Sequence, residues 1–253
     1  MKIVVAYNDS EDARAAIACA TELARETRAE LHLAYAVPAP DIPHHASPKL
    51  VEELMALAEA EARKQLSVVT ADLAAKGITF TQHTRRWFAT ETLVDRAKEI
   101  GAELIVIGRR GSSRATQLLI GTVSSELVRL SHTSVMVVRK GAAGSGPVLV
   151  AVDGSRPSLH ALEVARAVWP QTPVVACHVG EKPGASLPAL GPGVKVVERH
   201  GDPAEQLLAE LEGGDYRAIV LGPRGLGPLK GLLLGSVTEK VLQLAKRPVL
   251  VAR

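Results

Sequence analysis

An internal repeat is the feature that most constrains this chain. The segment Ile3–Ser10, IVVAYNDS, recurs as Val148–Ser155, VLVAVDGS, at an offset of 145 residues. The segment LIVIGRRG beginning at Leu104 recurs as AIVLGPRG beginning at Ala218, at an offset of 114. Similar segments at fixed offsets are typical of one fold used twice. We therefore expect two copies of one domain, called here the first and second repeat.

The offsets also place the domain boundaries. The drop from 145 to 114 makes the second repeat 31 residues shorter, and most of the loss falls opposite residues 41–76. Between the repeats, Lys140–Pro147 reads KGAAGSGP, a small flexible linker. It contains G-x-x-G-x-G spacing but precedes a strand and opens no helix, which argues against a dinucleotide fingerprint. We predict domains over residues 1–140 and 147–253, which a chain of 253 residues accommodates.

Within each repeat, short β-branched apolar runs alternate with helical patterns, which predicts an α/β fold with a parallel sheet. In the first repeat we predict strands near 2–7, 30–36, 78–84, 103–107 and 134–138, and helices near 11–27, 49–76, 90–100 and 121–131. In the second we predict strands near 147–152, 173–179, 194–199, 216–221 and 248–252, and helices near 156–168, 203–213 and 235–246. A Pro/Gly-rich loop from Lys182 to Gly193 replaces the long second helix.

Charge and hydropathy exclude several classes of protein. The 30 basic and 27 acidic residues are too balanced for a non-specific nucleic-acid binder. No apolar run approaches the roughly 18 residues that a membrane helix needs. The first residues have neither the apolar core nor the cleavage site of a signal peptide, so we expect a cytoplasmic protein without a membrane or nucleic-acid partner. Cys19 and Cys177 are expected to be inert buried thiols.

A ligand site is expected at the carboxyl edge of each sheet. In open parallel sheets, ligands bind where the strand order reverses. If the order is 3-2-1-4-5, the loops after strands one and four face each other there. After strand four, the spacing G-x2-G-x9-G-[ST] begins at Gly108 and again at Gly222. Its last glycine, with Thr122 or Ser236, opens a helix whose amides suit phosphate, although simple turns and helix caps remain the alternative.

These residues carry a resemblance. The G-x2-G-x9-G-[ST] spacing, with V-A-[VY]-[DN]-x-S after strand one, resembles the universal stress protein family, as a tandem covering nearly the whole chain. The end of the second repeat, from Gly235 to Arg253, is similar to the nucleotide-binding branch. The resemblance implies two flavodoxin-like, Rossmann-type domains, each with five parallel strands in the order 3-2-1-4-5 and helices on both faces. It also implies ATP in the crevice, with Mg²⁺ held by the phosphates, and pairing of the two domains through their last strands.

The resemblance also implies site residues. The acidic residue on the adenosine corresponds to Asp153, and to Asn8 in the first repeat, where an amide replaces a carboxylate. The backbone that meets adenine corresponds to Ala36 and Val179. The full set of nucleotide contacts is Ala6, Tyr7, Asn8, Ala36, Ile107, Gly108, Arg109, Gly111, Gly121, Thr122, Val123, Ser124, Ala151, Val152, Asp153, Val179, Leu221, Gly222, Arg224, Gly225, Gly235, Ser236, Val237 and Thr238. Bases available to neutralise a triphosphate are Arg109, Arg110, Arg114, Arg224 and Lys230.

Three functions remain open at this stage. The first is an ATP-binding module in stress response or signalling that reports to a protein partner, without catalysis or with very slow hydrolysis. The second is an ATP-cleaving enzyme, either a slow ATPase or an adenylate-forming one, and the third is a purely structural pairing domain. The sequence lacks a G-x4-G-K-[ST] loop, an S-G-G-x-D-S loop and a carboxylate pair for two metals, which favours binding. We assign no catalytic residue and no metal ligand.

The last strands bear on assembly. Ser134–Val138 and Pro248–Ala252 are apolar and should lie at sheet edges, where unpaired backbone groups invite association. Antiparallel pairing of these two strands within one chain removes both edges and predicts a pseudo-twofold molecule. The linker residues 140–146 can reach at most about 25 Å, enough to start the second repeat beside the first. A homodimer of the tandem chain stays open.

Four further features lie outside the strand-end motifs. His44 and His45 lie in a Pro-rich loop without other metal-ligating residues nearby, which argues against a metal site. His178 is interpreted as a satisfied strand residue and not a catalyst. The stretch 51–73 predicts a covering helix more than a partner helix. Trp87 and Phe88 suggest either a ligand lid or interface, or packing under the long helix.

Overall fold

The computed structural model describes the chain except for residues 9, 38–39, 87–89, 110–119, 143, 181–189 and 225–233, and except for the side chains of 36, 84–86 and 91–92. The first repeat contains β1 (Lys2–Tyr7), α1 (Glu11–Thr27), β2 (Glu30–Val37), α2 (Pro48–Ala75), β3 (Phe80–Arg86), α3 (Thr90–Glu99), β4 (Leu104–Gly108), α4 (Thr122–Leu130) and β5 (Ser134–Val138). The second contains β6 (Val148–Ala151), α5 (Arg156–Val168), β7 (Val174–Gly180), β8 (Lys195–His200), α6 (Pro203–Gly213), β9 (Ala218–Leu221), α7 (Ser236–Leu244) and β10 (Val249–Val251).

These strands form one continuous sheet in the order β3-β2-β1-β4-β5-β10-β9-β6-β7-β8. Inside each repeat the neighbours are parallel and follow the order 3-2-1-4-5, which confirms the predicted topology. At the centre β5 and β10 pair antiparallel, with Leu250 opposite Met136. The predicted pairing of the two last strands is therefore confirmed, and it converts two five-stranded sheets into one.

The core lies on both faces of this sheet. One face is covered by α1, α2 and α5, and the other by α3, α4, α6 and α7. The central strands are accordingly apolar apart from Ser134 at the start of β5: β4, β5, β9 and β10 are buried at every residue, as expected when helices cover both faces of parallel strands. The outer strand β8 is mostly exposed and carries Lys195, Glu198 and Arg199, charges that discourage pairing at an edge.

The clearest departure from the predicted boundaries is β3, which begins at Phe80 and not at residue 78. The reason is the way α2 ends. Gly77 has a φ of +67°, its amide donates to Ala74 O at 2.9 Å, and the Ile78 amide donates to Leu73 O at 3.0 Å. This is a Schellman closure, so Ile78 belongs to the helix end although its apolar character suggested a strand.

The long helix α2 belongs to the first repeat alone in the part of the chain that the structure describes. Between Gly180 and Lys195, where its counterpart would lie, residues 190–194 form turn and irregular structure, and residues 181–189 of the predicted loop lie outside the described residues. The predicted shortening of the second repeat is thus located after β7.

Reciprocal arginines extend the contact between the repeats beyond the strand pair. Arg253, at the end of the second repeat, donates to Val128 O at 2.7 Å, in the last turn of α4. Its counterpart Arg139 donates to Ala245 O at 3.5 Å, just after α7. A cation at a helix C-terminus meets unpaired carbonyls and the negative end of the dipole. Each repeat therefore stabilises a helix end of the other.

The two thiols are free and poorly ionisable. Burial raises the pKa of the Cys177 thiol to about 11 and that of Cys19 to about 12, so both are protonated near neutral pH. Since the thiolate is the reactive form, this supports the prediction of inert cysteines. In the described part of the chain, none of the helices combines the length and hydropathy needed to cross a membrane.

A stacked histidine pair between β2 and β3 predicts acid sensitivity. His32 Nδ1 lies 3.1 Å from His83 Nε2, and burial lowers the pKa of both rings. The unfolded chain therefore takes up these protons at higher pH than the folded chain, so stability falls as the pH drops below about 6.5. We expect the urea midpoint to decline from pH 7 to pH 5, and His83→Phe to flatten that decline. His44→Gln, at an exposed turn, should leave it unchanged; a flat wild-type profile would contradict the expectation.

Candidate functional site

The loop after β1 turns directly into the cap of α1. The Asn8 Oδ1 atom accepts a hydrogen bond from Ser10 Oγ at 2.8 Å. Ser10 Oγ accepts one in turn from the Ala13 amide at 3.2 Å, which makes it the N-cap of the helix. Asn8 is half-buried at the carboxyl end of the strand. Its amide is therefore oriented by the chain's own turn before any ligand arrives.

The second repeat builds the same turn with an acid. Asp153 Oδ1 accepts from the Ser155 amide at 3.0 Å, and Ser155 Oγ accepts from the Ser158 amide at 3.3 Å, capping α5. A carboxylate oxygen can accept more than one hydrogen bond, so this turn is compatible with ligand hydroxyl donors. Asp153 and Asn8 thus occupy matching places with different charges.

The glycine at the end of strand four packs closely against the first helix in both repeats. A Cβ on Gly108 would lie 2.7 Å from the Ala13 nitrogen and 2.7 Å from the Asp12 carbonyl carbon. A Cβ on Gly222 would lie 3.0 Å from the Pro157 carbonyl carbon. These glycines are needed for close approach between backbones. The ends of strands one and four are therefore adjacent, while most of the loop after strand four lies outside the described residues.

The helices that follow strand four begin on glycine. Gly121 and Gly235 are the N-caps of α4 and α7, and neither helix has a side-chain cap. Each glycine amide donates to the carbonyl of the residue after the first motif glycine: Gly121 to Arg109 O at 2.8 Å, and Gly235 to Pro223 O at 2.9 Å. A helix start without a side-chain cap presents its first amides outward, which suits an anion.

The hydroxyls beside these glycines divide into two kinds. Ser124 Oγ donates to Gly108 O at 2.8 Å, and Thr238 Oγ1 donates to Gly222 O at 3.0 Å; both side chains are buried. They fasten the helix start to the strand end in both repeats. Thr122 and Ser236, by contrast, are exposed. Of the predicted hydroxyl contacts, Thr122 and Ser236 are thus the exposed pair.

The remaining predicted residues line the strand ends. Ala36 and Val179 are the next-to-last residues of β2 and β7, in register with Arg85 and Arg199. His178 Nδ1 lies 2.9 Å from Val152 O, whereas its Nε2 is buried without a hydrogen-bond partner among the described residues, so the interpretation as a satisfied strand residue holds for one ring nitrogen only. Among the other predicted contacts, the buried residues are Tyr7, Ile107, Val152 and Leu221, the half-buried ones are Ala6, Ala151, Val179 and Val237, and Val123 is 45% exposed.

The placement of Arg109 corrects its predicted role. Its side chain is buried, with 3% exposed, and its guanidinium donates to Gln243 O near the end of α7 in the second repeat. Its backbone is also engaged, with the amide donating to Val138 O at 2.6 Å. The guanidinium therefore holds the two repeats together, and its geometry does not support phosphate neutralisation.

Other expected charges and aromatics are only partly described. Arg224 is half-buried; burial lowers the pKa of Arg253, and the charge of nearby Arg224 acts in the same direction. Among the described residues, no group of three or more His, Cys, Asp or Glu side chains could hold a metal ion. The predicted residues that lie outside the described ones are Trp87, Phe88, Arg110, Gly111, Arg114, Gly225 and Lys230.

A family model decides the classification. The model described as "Universal stress protein family" matches residues 1–139 and 181–253, most of both repeats. This chain belongs to the universal stress protein family. The resemblance inferred from the strand-end motifs is therefore confirmed at the level of the family, including its tandem arrangement.

Curated universal stress proteins support the same assignment. A universal stress protein of Mycobacterium tuberculosis is 36% identical over a match that covers 65% of each chain. One from Mycolicibacterium smegmatis is 31% identical, and that match covers 70% of each chain. The chain thus spans just under two thirds of the length of the first of these relatives.

Solved structures share the fold. A universal stress protein from Archaeoglobus fulgidus aligns with a TM-score of 0.81 and 21% identity, covering all of this chain and 98% of that one. A functionally unknown protein from Pseudomonas aeruginosa aligns with a TM-score of 0.67 and 18% identity, covering 99% and 92% of the two chains. At these identities the likeness concerns architecture, and it extends across both repeats.

Two structural features of the site escaped sequence reasoning. One is the capping role of Ser10 and Ser155, which ties the position of Asn8 or Asp153 to the first helix. The repeated serine in V-A-[VY]-[DN]-x-S was a usable signal for it. The other is the engagement of Arg109 with the second repeat, for which the sequence around that residue offers no signal.

Proposed function

We propose that this universal stress protein binds one ATP in each repeat, between the loops after strands one and four. The observation that carries the proposal is the duplicated helix start: Gly121 and Gly235 open α4 and α7 without a side-chain cap, beside an exposed hydroxyl. Each follows a strand end whose glycine, Gly108 or Gly222, packs so closely on the first helix that an added Cβ would be tight or would clash.

The phosphates are assigned to the helix starts. The first amides of α4 and α7 have no intrahelical acceptor, and the positive end of the helix dipole adds to their attraction for anions. Thr122 and Ser236 add exposed hydroxyls that can donate to phosphate oxygens. Mg²⁺ would be carried on the phosphates, since the described residues do not supply a metal cluster.

The ribose is assigned to Asp153 and Asn8. A carboxylate accepts hydrogen bonds from two hydroxyls, whereas an amide offers one accepting oxygen and one donating nitrogen. Hydrogen bonds to a charged acceptor are also stronger than those to a neutral one. We therefore expect the second repeat to bind at least as tightly as the first. The adenine is assigned to the backbone at Ala36 and Val179, where β2 and β7 end.

We further propose that the bound nucleotide is a signal and not a substrate for rapid turnover, and that the protein acts in the cytoplasm on a protein partner. Across the full sequence there is no G-x4-G-K-[ST] loop to cradle a transferring phosphate. Two free thiols fit a reducing compartment.

Titration calorimetry of the full chain with MgATP tests the proposal. We expect two sites per chain, and an Asp153→Asn variant should bring the second site toward the affinity of the first. Mass spectrometry of gently purified protein should find co-bound nucleotide. A single site per chain, or loss of the tighter site on altering the glycines of the first repeat, would count against the assignment. Absence of any binding would favour a purely structural pairing domain.

Phosphate release from the same samples separates binding from catalysis. We expect turnover well below about 1 per second, the lower end of ordinary enzyme rates. Sustained release above that rate, retained through a second purification step, would favour the ATP-cleaving alternative.

A further inference from the structure

The helix α2 has an exposed apolar face as well as a buried one. Its inner side buries Ala62, Leu66 and Leu73 against the sheet. Its outer side leaves Leu57 66% exposed and Val68 70% exposed. With Leu50, which is 39% exposed, they make up half of the six exposed large hydrophobic residues in the described part of the chain. Such a concentration on one helix indicates an interaction surface.

The outer residues follow the seam of a coiled coil. Along α2, a stripe recurs at alternating intervals of four and three residues, the spacing of the a and d positions of a heptad. At 100° per residue, the stripe and the buried residues are separated around the helix axis by well over a quarter turn. The stripe therefore lies on the side of the helix away from the buried residues. The members of the stripe are Leu50, Leu54, Leu57, Glu61, Lys64, Val68, Ala71 and Ala75.

Two copies of the stripe in opposite directions are complementary in side-chain size and in charge. About a midpoint between Ala62 and Arg63, position 57 mirrors 68, position 50 mirrors 75, and position 54 mirrors 71. Each of these pairs matches a leucine with a smaller residue, valine or alanine. The two central positions, Glu61 and Lys64, mirror each other with opposite charge.

We propose that the outer face of α2 docks on the same face of a second molecule of this chain, as an antiparallel two-helix contact. In an antiparallel pair an a position faces a d position of the partner. Leu57 then meets Val68 of the other chain, and Glu61 meets Lys64 of the other chain twice, around the twofold axis. A parallel pair would instead place Glu61 on Glu61 and Lys64 on Lys64, which is repulsive.

Pairing through the last strands is not open to a second molecule. The two apolar last strands are used within the chain, since β5 pairs with β10. Among the described residues the second repeat has no counterpart of α2, so one chain carries one such seam. A self-complementary patch present once per chain closes at two chains under twofold symmetry. This inference is independent of nucleotide binding.

The central charges set the register more than the affinity. Two Glu–Lys pairs at the middle of the seam lose hydration on association, which offsets much of their attraction. The flanking leucine layers supply the favourable burial, while any shift of register leaves a charge facing an apolar side chain. We therefore expect a dimer of moderate affinity with one defined arrangement.

Sedimentation equilibrium of the full chain tests the surface. We expect a monomer–dimer equilibrium in the wild type, and Leu57→Glu or Val68→Glu should weaken it by roughly a hundredfold or more, since an apolar layer would then bury an unpaired charge. Val196→Glu is the matched control: Val196 is 44% exposed on β8, and its substitution should leave the equilibrium unchanged. A wild type that stays monomeric to about 1 mM, near the weak end of specific association, would overturn the proposal. So would a dimer lost through Val196→Glu and kept in Leu57→Glu.

Charge exchange tests the antiparallel register. Lys64→Glu alone and Glu61→Lys alone should each weaken the dimer by roughly tenfold, because each creates two like-charge contacts. The double variant Glu61→Lys/Lys64→Glu should restore wild-type affinity, since the pairs are merely exchanged. Glu61 also accepts a 3.4 Å hydrogen bond from Gln65, so Lys64→Glu is the cleaner single change. A double variant as weak as the singles would overturn the proposed pairing.

Discussion

Replacing Gly235 by Val is expected to abolish nucleotide binding in the second repeat and to leave the first repeat's site intact. The valine branches would project from the N-cap of α7, over the amides assigned to the phosphates. We expect a loss of at least about 100-fold in the affinity of that site, or about 2.8 kcal/mol. Calorimetry should then show one site per chain.

The fold should tolerate this change. Gly235 has a φ of −69° and a ψ of 148°, an extended conformation that valine readily adopts. A Cβ there would lie 3.4 Å from Arg224 Cα, a tight but ordinary contact. Loss of binding with an unchanged melting temperature would therefore report on the site and not on folding.

Two variants serve as controls. Gly121→Val makes the equivalent change at the N-cap of α4 and should remove the first site only. Gly213→Val, where a Cβ would meet nothing within 4 Å, should alter neither site. If Gly235→Val retains affinity at both sites, the phosphates bind elsewhere and the assignment fails.

Gly108→Ala is expected to destabilise the protein far more than its single added methyl group suggests. The new Cβ would lie 2.7 Å from both the Ala13 nitrogen and the Asp12 carbonyl carbon. Both atoms are backbone in the first turn of α1, which Ser10 pins by its cap, so neither can rotate away. Overpacking of this kind costs roughly 3 kcal/mol or more.

The expected loss of stability from a glycine-to-alanine substitution differs between positions. At Gly222 the nearest backbone atoms are 3.0 Å from the new Cβ, so Gly222→Ala should cost about half as much, roughly 1 to 2 kcal/mol. Gly213→Ala meets open space at the end of α6 and should be neutral or slightly stabilising. Urea unfolding at constant m-value measures all three. Equal destabilisation at Gly108 and Gly213 would show that the close contact with α1 yields without strain.

Much of the architecture followed from the sequence because the repeat and the apolar periodicity act locally. The strand β4, LIVIG, is apolar at every residue, and the structure buries every one of them. Antiparallel pairing of the last strands followed from their apolar edges and the short linker, and β5 does meet β10. The boundary of β3 could not be predicted from hydrophobicity, because Ile78 is used to close α2 and not to extend the sheet.

For the site, the sequence predicted the positions of the glycines but not the orientation of the neighbouring side chains. Spacing located Gly108, Gly121 and their counterparts, since the same glycine pattern recurs at the same points of both repeats. Spacing could not separate Ser124, buried on a strand carbonyl, from Thr122, exposed beside it, because that depends on which side of α4 packs inward.

By itself the sequence determined that this chain is a tandem of two universal stress protein domains, with glycine-started helices at matching strand ends. Only the tertiary structure decided which contacts the side chains make and which of them stay exposed. Arg109 follows a motif glycine, yet its guanidinium crosses to Gln243 in the other repeat. The helix α2 reads as a cover for the sheet, and only its packing showed which stripe stays exposed. The physical reason is common to both: motif spacing is a property of neighbours along the chain, whereas side-chain contacts depend on elements brought together from distant positions.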